Sequence, residues 1–305
     1  MPPEFQSKLQ EFLVERLLDY AGRPTRPLYH YTGGNGLIKI INTGTLLASQ
    51  IGTLNDSMEL AYATMLLQQR MADAVKNDEC ARSHAAFARI ADQLTRIKPE
   101  ATGVYVTSFT EDGDSLSQWR GYADGEAGFA IEFDPAVLSG ASCFQPSYLL
   151  KVEYHPDRQN DLLGRIVRWT DEAFAKGLAD RTAGSVDAWA EEFAPSWIVT
   201  LAPLTACLKH PKFEAEREWR IVYYFRDGDL QRMQFVQRRA TISRHIPLTY
   251  GATPSDTRLP VTGVVMGPCR YPDSTRYAVA DLLRARGYGT DVGAVAESKI
   301  PYRLI

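Results

Sequence analysis

The strongest constraint on this chain is the way its strand-like segments cluster. Short alternating or β-branched runs occur at 28–32 (LYHYT), 45–49 (TLLAS), 103–109 (GVYVTSF), 128–134 (GFAIEFD), 148–154 (YLLKVEY), 218–225 (EWRIVYYF), 233–237 (MQFVQ) and 261–267 (VTGVVMG). Two long blocks between them, at about 57–97 and 157–200, read as helix. In a regular βαβ array each strand is followed by its own helix. Here the strands come in groups, so the pattern predicts an α+β fold with helical insertions.

The ends refine this picture. Phe5, Leu9, Phe12, Leu13, Leu17 and Leu18 recur at helical spacing, and Gly22 with Pro24 stops the run. The domain reading is therefore an amphipathic helix over 1–25 and a single α+β domain over 26–305. Asn35 is read as the cap of a short helix ending at Gly44, and Asp114 as the cap of another over DSLSQWRGYA. In the second helical block Trp169, Phe174, Trp189, Phe193 and Trp197 are expected to point inward.

Bulk properties exclude some functions. The 305 residues carry a formal charge of −3, which gives no global attraction to nucleic acid or anionic membranes. No apolar run approaches the length of a membrane span, and the start lacks a signal-peptide layout, so the expected location is cytoplasmic. Cys80, Cys143, Cys207 and Cys269 are far apart, which suits free thiols rather than disulfides or a zinc knot. His30, His84, His155, His210 and His245 have no metal-binding spacing, so no metal is expected. GGNGL after the first strand lacks the rest of a dinucleotide fingerprint and reads as a tight turn.

Three stretches could carry chemistry. LNDSMEL brings Asn55, Asp56 and Glu59 together at what reads as a helix N-terminus, with Asp56 as cap. SQWRGYADGE supplies Trp119, Arg120 and Tyr122, suited to stacking on and pairing with a flat anionic ligand, or simply to core packing. KFEAEREWRIV is the most informative. On an extended chain Glu216 and Glu218 would project to one face, where like charges must be solvated, paired or used. Lys212, Arg217 and Arg220 are available to neutralise them. Alternatively a carboxylate here binds a sugar hydroxyl and stabilises positive charge at an anomeric carbon.

These segments, with LIKIINTGTLLAS, YVTSFTEDGDSLSQWRGYADGEAGFAIEFD and the tail GVVMGP…LLRARGY…VAESKIPYRLI, resemble a bacterial family known as domain of unknown function 2971. The opening LYHYTGGNGLIKIINTGTLLAS also resembles ADP-ribosyltransferase-like domains. That second resemblance implies a split, mostly antiparallel β core and NAD as substrate. It assigns His30 to the NAD ribose, Ser108 to the middle strand, and Glu218 with Glu216 to the late-strand catalytic pair. It leaves open which of the two carboxylates is the key one. Tyr31 or Trp119 would stack on nicotinamide, Arg120 would face the pyrophosphate, and Tyr105 or Tyr122 would be the middle-strand tyrosine. The implied function is an NAD-consuming ADP-ribosyltransferase or NAD glycohydrolase with a protein or nucleic-acid acceptor, serving as a bacterial conflict or phage-defence effector. A non-catalytic nucleotide- or partner-binding sensor using the same cleft is the alternative. Both readings expect His30 and Glu218 to meet on one side of the sheet. A third, nucleic-acid recognition through VQRRATISRH (Arg238, Arg239, Arg244, His245), competes with a plain solvated strand pair there.

Overall fold

Alternating side chains with β-branched and aromatic residues build ten strands among the described residues, and a computed structural model shows how they join. The described residues are 8, 11–13, 15–16, 22–54, 59–79, 83–96, 102–122, 127–138, 147–179, 185–226, 228–238, 241–250, 258–289 and 295–301. The elements in chain order are β1 (Leu28–Gly33), α1 (Gly34–Thr43), β2 (Thr45–Gln50), α2 (Glu59–Lys76), α3 (His84–Leu94), β3 (Val104–Thr110), α4 (Leu116–Tyr122), β4 (Gly128–Phe133), α5 (Pro135–Leu138) and β5 (Ser147–Lys151). There follow α6 (Pro156–Ala179), α7 (Val186–Thr205), β6 (Glu218–Tyr224), α8 (Asp229–Arg232), β7 (Gln234–Arg238), β8 (Thr241–Thr249), β9 (Val261–Met266), α9 (Pro272–Ala285) and β10 (Val295–Glu297). Of the N-terminal segment, residues 8, 11–13 and 15–16 are helical, residues 22–25 are not, and Leu13 is buried.

The strands form one mixed but mostly antiparallel open sheet, with β9 and β10 its parallel pair. Its branching sets the geometry of everything else. β3 pairs along its whole length with β6, from Val104↔Tyr224 to Thr110↔Glu218. Its other edge is shared: β1 touches it at Tyr29↔Thr110, and β2 at Ser49↔Val106 and Gln50↔Tyr105. From that fork β1 leads to β4, β9 and β10, while β2 leads to β8 and β7.

Opposed residues of antiparallel strands share a face, so the register sorts the side chains. On one face Val104, Val106, Leu150 and Val222 pack under α2, α3, α6 and α7. The anchors Trp169, Phe174, Trp189, Phe193 and Trp197 are all buried in this core. Phe193 stacks on Trp197, and the Trp197 indole donates to Thr170 at 2.7 Å. On the other face Tyr105, Phe109, Trp219, Ile221 and Tyr223 pack with Leu37, Ile40 and Ile41 of α1 and Val279, Ala280 and Leu283 of α9. At about 25 cal/mol per Å² of apolar surface, these two layers supply the main driving force for folding.

Two helix starts differ from the sequence reading. α1 begins at Gly34, with Gly33 rather than Asn35 as its N-cap. Gly36 lies so close to the Thr32 side chain that a Cβ there would collide with its hydroxyl, which explains the glycine at that position. At α4 the Trp119 amide donates to the Ser115 carbonyl, while Asp114 takes the Trp119 indole N–H instead of capping the helix. Asp56 lies outside the described residues, as do Cys80 and Cys143. Of the other two cysteines, Cys207 is buried and Cys269 partly so, and both are free thiols. Among the described residues no helix is long and apolar enough to cross a membrane.

Candidate functional site

The chain reaches β6 through a 3₁₀ helix, Pro211–Glu216, and a sharp turn at Arg217, whose φ of 44° and ψ of 48° lie in the left-handed region. A non-glycine residue there is strained by about 1–3 kcal/mol and points to a site where the surroundings enforce the geometry. Sequence reasoning expected Glu216 and Glu218 to share a face because the chain was extended. The chain is not extended at Glu216, yet the turn still makes the carboxylates converge. Lys209 Nζ donates to Glu216 at 2.7 Å and to Glu218 at 3.0 Å.

Glu218 is the centre of the cluster. Arg220 donates to it through Nε at 2.9 Å and Nη2 at 2.8 Å, and through Nη1 to the Ala206 carbonyl at 3.0 Å. Ser108 of β3 also hydrogen-bonds the Glu218 carboxylate. The Tyr154 hydroxyl accepts from the Glu218 amide at 3.1 Å. Burial alone would raise the Glu218 pKa. The charges of Arg220 and Lys209, with the Arg220 and Ser108 hydrogen bonds, outweigh it and leave the group at about 2. Arg220 therefore does what the neutralising reading proposed. Lys209 does the rest, although no local pattern marks it: it lies seven residues before Glu216, between α7 and the 3₁₀ helix.

The cluster opens toward Tyr122 and Glu216. Burial raises the Tyr122 phenol pKa, helped by the Glu218 and Glu216 charges and opposed by Lys209 and Arg220. The hydroxyl thus lies within the field of the cluster, although the residue as a whole is 41% exposed. Glu216 is 28% exposed against 8% for Glu218, so Glu216 is the carboxylate that solvent and ligands reach. Phe213, 37% exposed, lies 5.2 Å from Lys209 Nζ, and the His210 ring packs edge-on against Tyr62 at 5.3 Å. Cys207, beside Arg220, is pushed by burial to about 12, which keeps its thiol protonated.

Trp119 and Tyr31 are on this face of the sheet but are already committed. Their rings pack edge-to-face at 4.6 Å. The Tyr31 hydroxyl donates to the Asp112 carbonyl and accepts from the Ser115 amide, each at 2.9 Å. Asp114 accepts from the Trp119 indole and from Ser298 Oγ and the Lys299 amide, tying the C-terminal segment over α4. A Cβ on Gly267 would come within 2.8 Å of the Trp119 ring. Burial is the main reason the Tyr31 phenol pKa is raised. Arg120 is exposed on α4.

His30 is elsewhere, and this corrects the expectation that it meets Glu218. Tyr29, Thr110 and Glu218 stand in one row across β1, β3 and β6, so Glu218 shares their face. His30 is one residue on from Tyr29 and projects to the opposite face, where its ring contacts Phe109 at 5.7 Å. Its Nδ1 lies 2.9 Å from the Ser108 carbonyl, in the fork where β1 leaves β3. Nor are β1 and β6 adjacent, since β3 separates them. The structure thus brings together Glu216, Glu218, Ser108 and Tyr122, and leaves His30 out. Tyr105 belongs to the His30 face, so of the two tyrosines Tyr122 is the one beside the carboxylates. Among the described residues no three His, Cys, Asp or Glu side chains are grouped to hold a metal.

Residues 118–221 match the family model described as "Protein of unknown function (DUF2971)". The matched region runs from α4 into β6 and contains Tyr122, Lys209, Glu216, Glu218 and Arg220. The matched segment thus supplies most of the cluster, while Ser108 comes from β3, outside it. No curated protein and no solved structure matches the chain.

Proposed function

We propose that this cluster is the floor of a recognition site, and that the chain is a nucleotide- or partner-binding sensor module. The supporting observation is the mutual neutralisation of two carboxylates, Glu216 and Glu218, and two cations, Lys209 and Arg220. Lys209, Glu218 and Arg220 form a buried, preformed base of hydrogen bonds, and Glu216 with two exposed rings, Tyr122 and Phe213, makes the accessible surface of this cluster of no net charge. Such a surface suits a ligand with hydroxyls for Glu216 and a flat group for an aromatic ring. A nucleotide such as NAD has both. The binding energy would come from groups already in place rather than from ordering them.

One observation favours turnover as a second reading. An ionised carboxylate in low-dielectric surroundings is what a developing oxocarbenium ion requires, and the cations around Glu218 keep it ionised. In this version the protein consumes NAD as an ADP-ribosyltransferase or NAD glycohydrolase, with an acceptor from protein or nucleic acid and a place in bacterial conflict or phage defence. Glu216 and Glu218 act without His30. The test is to incubate the protein with NAD, follow nicotinamide release, and measure NAD binding calorimetrically, for wild type and Glu216→Gln. Binding without release supports the sensor, and release lost in the variant supports the enzyme. No binding by a folded wild type removes both.

A further inference from the structure

The far end of the sheet carries a surface that the Glu218 site does not use. β7 is the last strand on its side, and among the described residues no strand pairs with its outer edge. Such an edge is a template for another strand unless it is blunted. Here it is decorated instead. Phe235 is 63% exposed and Ile242 of β8 is 67% exposed, and the register Phe235↔Arg244 and Gln237↔Ile242 puts both on one face of the hairpin. Leu230, just before the strand, is 67% exposed.

The charge of this region also departs from that of the chain. Residues 226–245 contain five arginines and two aspartates, a net charge of +3 on a protein whose net charge is −3. Asp229 is itself occupied, accepting from the Tyr223 hydroxyl at 2.7 Å and from Arg232 at 2.8 Å.

We propose that the outer edge of β7 docks an extended acidic segment of a partner protein, which joins the sheet as a further strand. The hydrogen-bond pattern fixes the contacts. Arg238↔Thr241 leaves a two-residue connection, which closes on a hydrogen-bonded pair. By alternation Arg238, Val236 and Gln234 bond inward to β8, and the Phe235 and Gln237 backbone groups face outward. The incoming strand pairs with those groups, sets apolar side chains against Phe235 and Ile242, and brings acidic charge to a segment of net charge +3. Charge selects against a second copy of this chain, because edge-to-edge pairing would bring two +3 segments together. It also fits a peptide better than single-stranded nucleic acid, since Phe235 is the sole Phe, Tyr or Trp in 226–245 and stacking uses successive rings.

The test uses the full chain and a fluorescein-labelled peptide, Glu-Val-Glu-Val-Asp-Val-Glu, followed by anisotropy beside its lysine-for-acid counterpart and an oligothymidylate. Gln237→Pro removes an outward N–H while sparing the β7–β8 ladder, and Ile242→Asp removes the apolar contact and adds repulsion. Saturable binding of the acidic peptide, weakened about tenfold or more by each variant, falling with salt and absent for the lysine peptide, supports the proposal. Equal binding by wild type and Gln237→Pro overturns it. So do tighter binding of the oligothymidylate, dimerisation abolished by Gln237→Pro, or no saturation by the acidic peptide.

Discussion

Replacing Glu218 by glutamine should destabilise the protein far more than one lost hydrogen bond would. The change keeps the side-chain shape and removes its charge. Arg220, 1% exposed, and Lys209, 7% exposed, then remain buried with one carboxylate, Glu216, which bonds Lys209. Removing one partner of a buried ion pair typically costs about 3–5 kcal/mol. At the roughly 2–4 °C per kcal/mol seen for large domains, Tm should fall by about 10 °C. Urea denaturation followed by circular dichroism would give the free energy, with an unchanged slope showing that the native state is otherwise intact. A second variant tests the cause. Removing both charges, as Glu218→Leu with Arg220→Met, should be less damaging than Glu218→Gln by at least about 1 kcal/mol, because no buried charge is left stranded. A loss below about 1 kcal/mol for Glu218→Gln would refute the reasoning, and so would a double variant as unstable as the single one.

Three further outcomes follow from the same geometry. Because the folded Glu218 pKa, about 2, lies below its unfolded value near 4.5, its contribution is complete above about pH 4.5. It is lost as pH falls toward 2, so an acid titration of stability should lose about 3 kcal/mol across that window in wild type and little of it in Glu218→Gln. Gly267→Ala would push a methyl group into the Trp119 ring and should cost about 1–3 kcal/mol, with a changed tryptophan emission spectrum. Asp114→Ala removes the acceptor shared by Trp119, Ser298 and Lys299, and should increase amide exchange at residues 298–300 while leaving the β3–β6 ladder protected.

Much of the architecture was legible because it depends on local pattern. The alternation in GVYVTSF and EWRIVYYF identified β3 and β6, and the spacing of the aromatic anchors in the second helical block identified what now fills the core beneath α6 and α7. The site was less legible, for a reason of register. Whether His30 and Glu218 share a face depends on β3, which separates them, and a shift of one residue in β1 would reverse the result. Nothing within LYHYT encodes that choice. Similarly, Arg217 adopts a left-handed conformation without the glycine or asparagine that normally announces one, so the convergence of Glu216 and Glu218 came out of the sequence for the wrong reason. Lys209 escaped notice because only the folded connection from α7 to β6 carries it to the carboxylates.

The central claim is that recognition takes place on the Glu216–Glu218 face and not at His30. Calorimetric titration of NAD into wild type, Glu216→Gln and His30→Ala tests it most directly. The proposal predicts saturable binding to wild type, an affinity about tenfold lower for Glu216→Gln, and an affinity unchanged for His30→Ala, since one hydrogen bond to the ligand is worth about 1 kcal/mol or more. Binding abolished by His30→Ala but retained by Glu216→Gln would place the ligand in the fork on the other face and contradict the account.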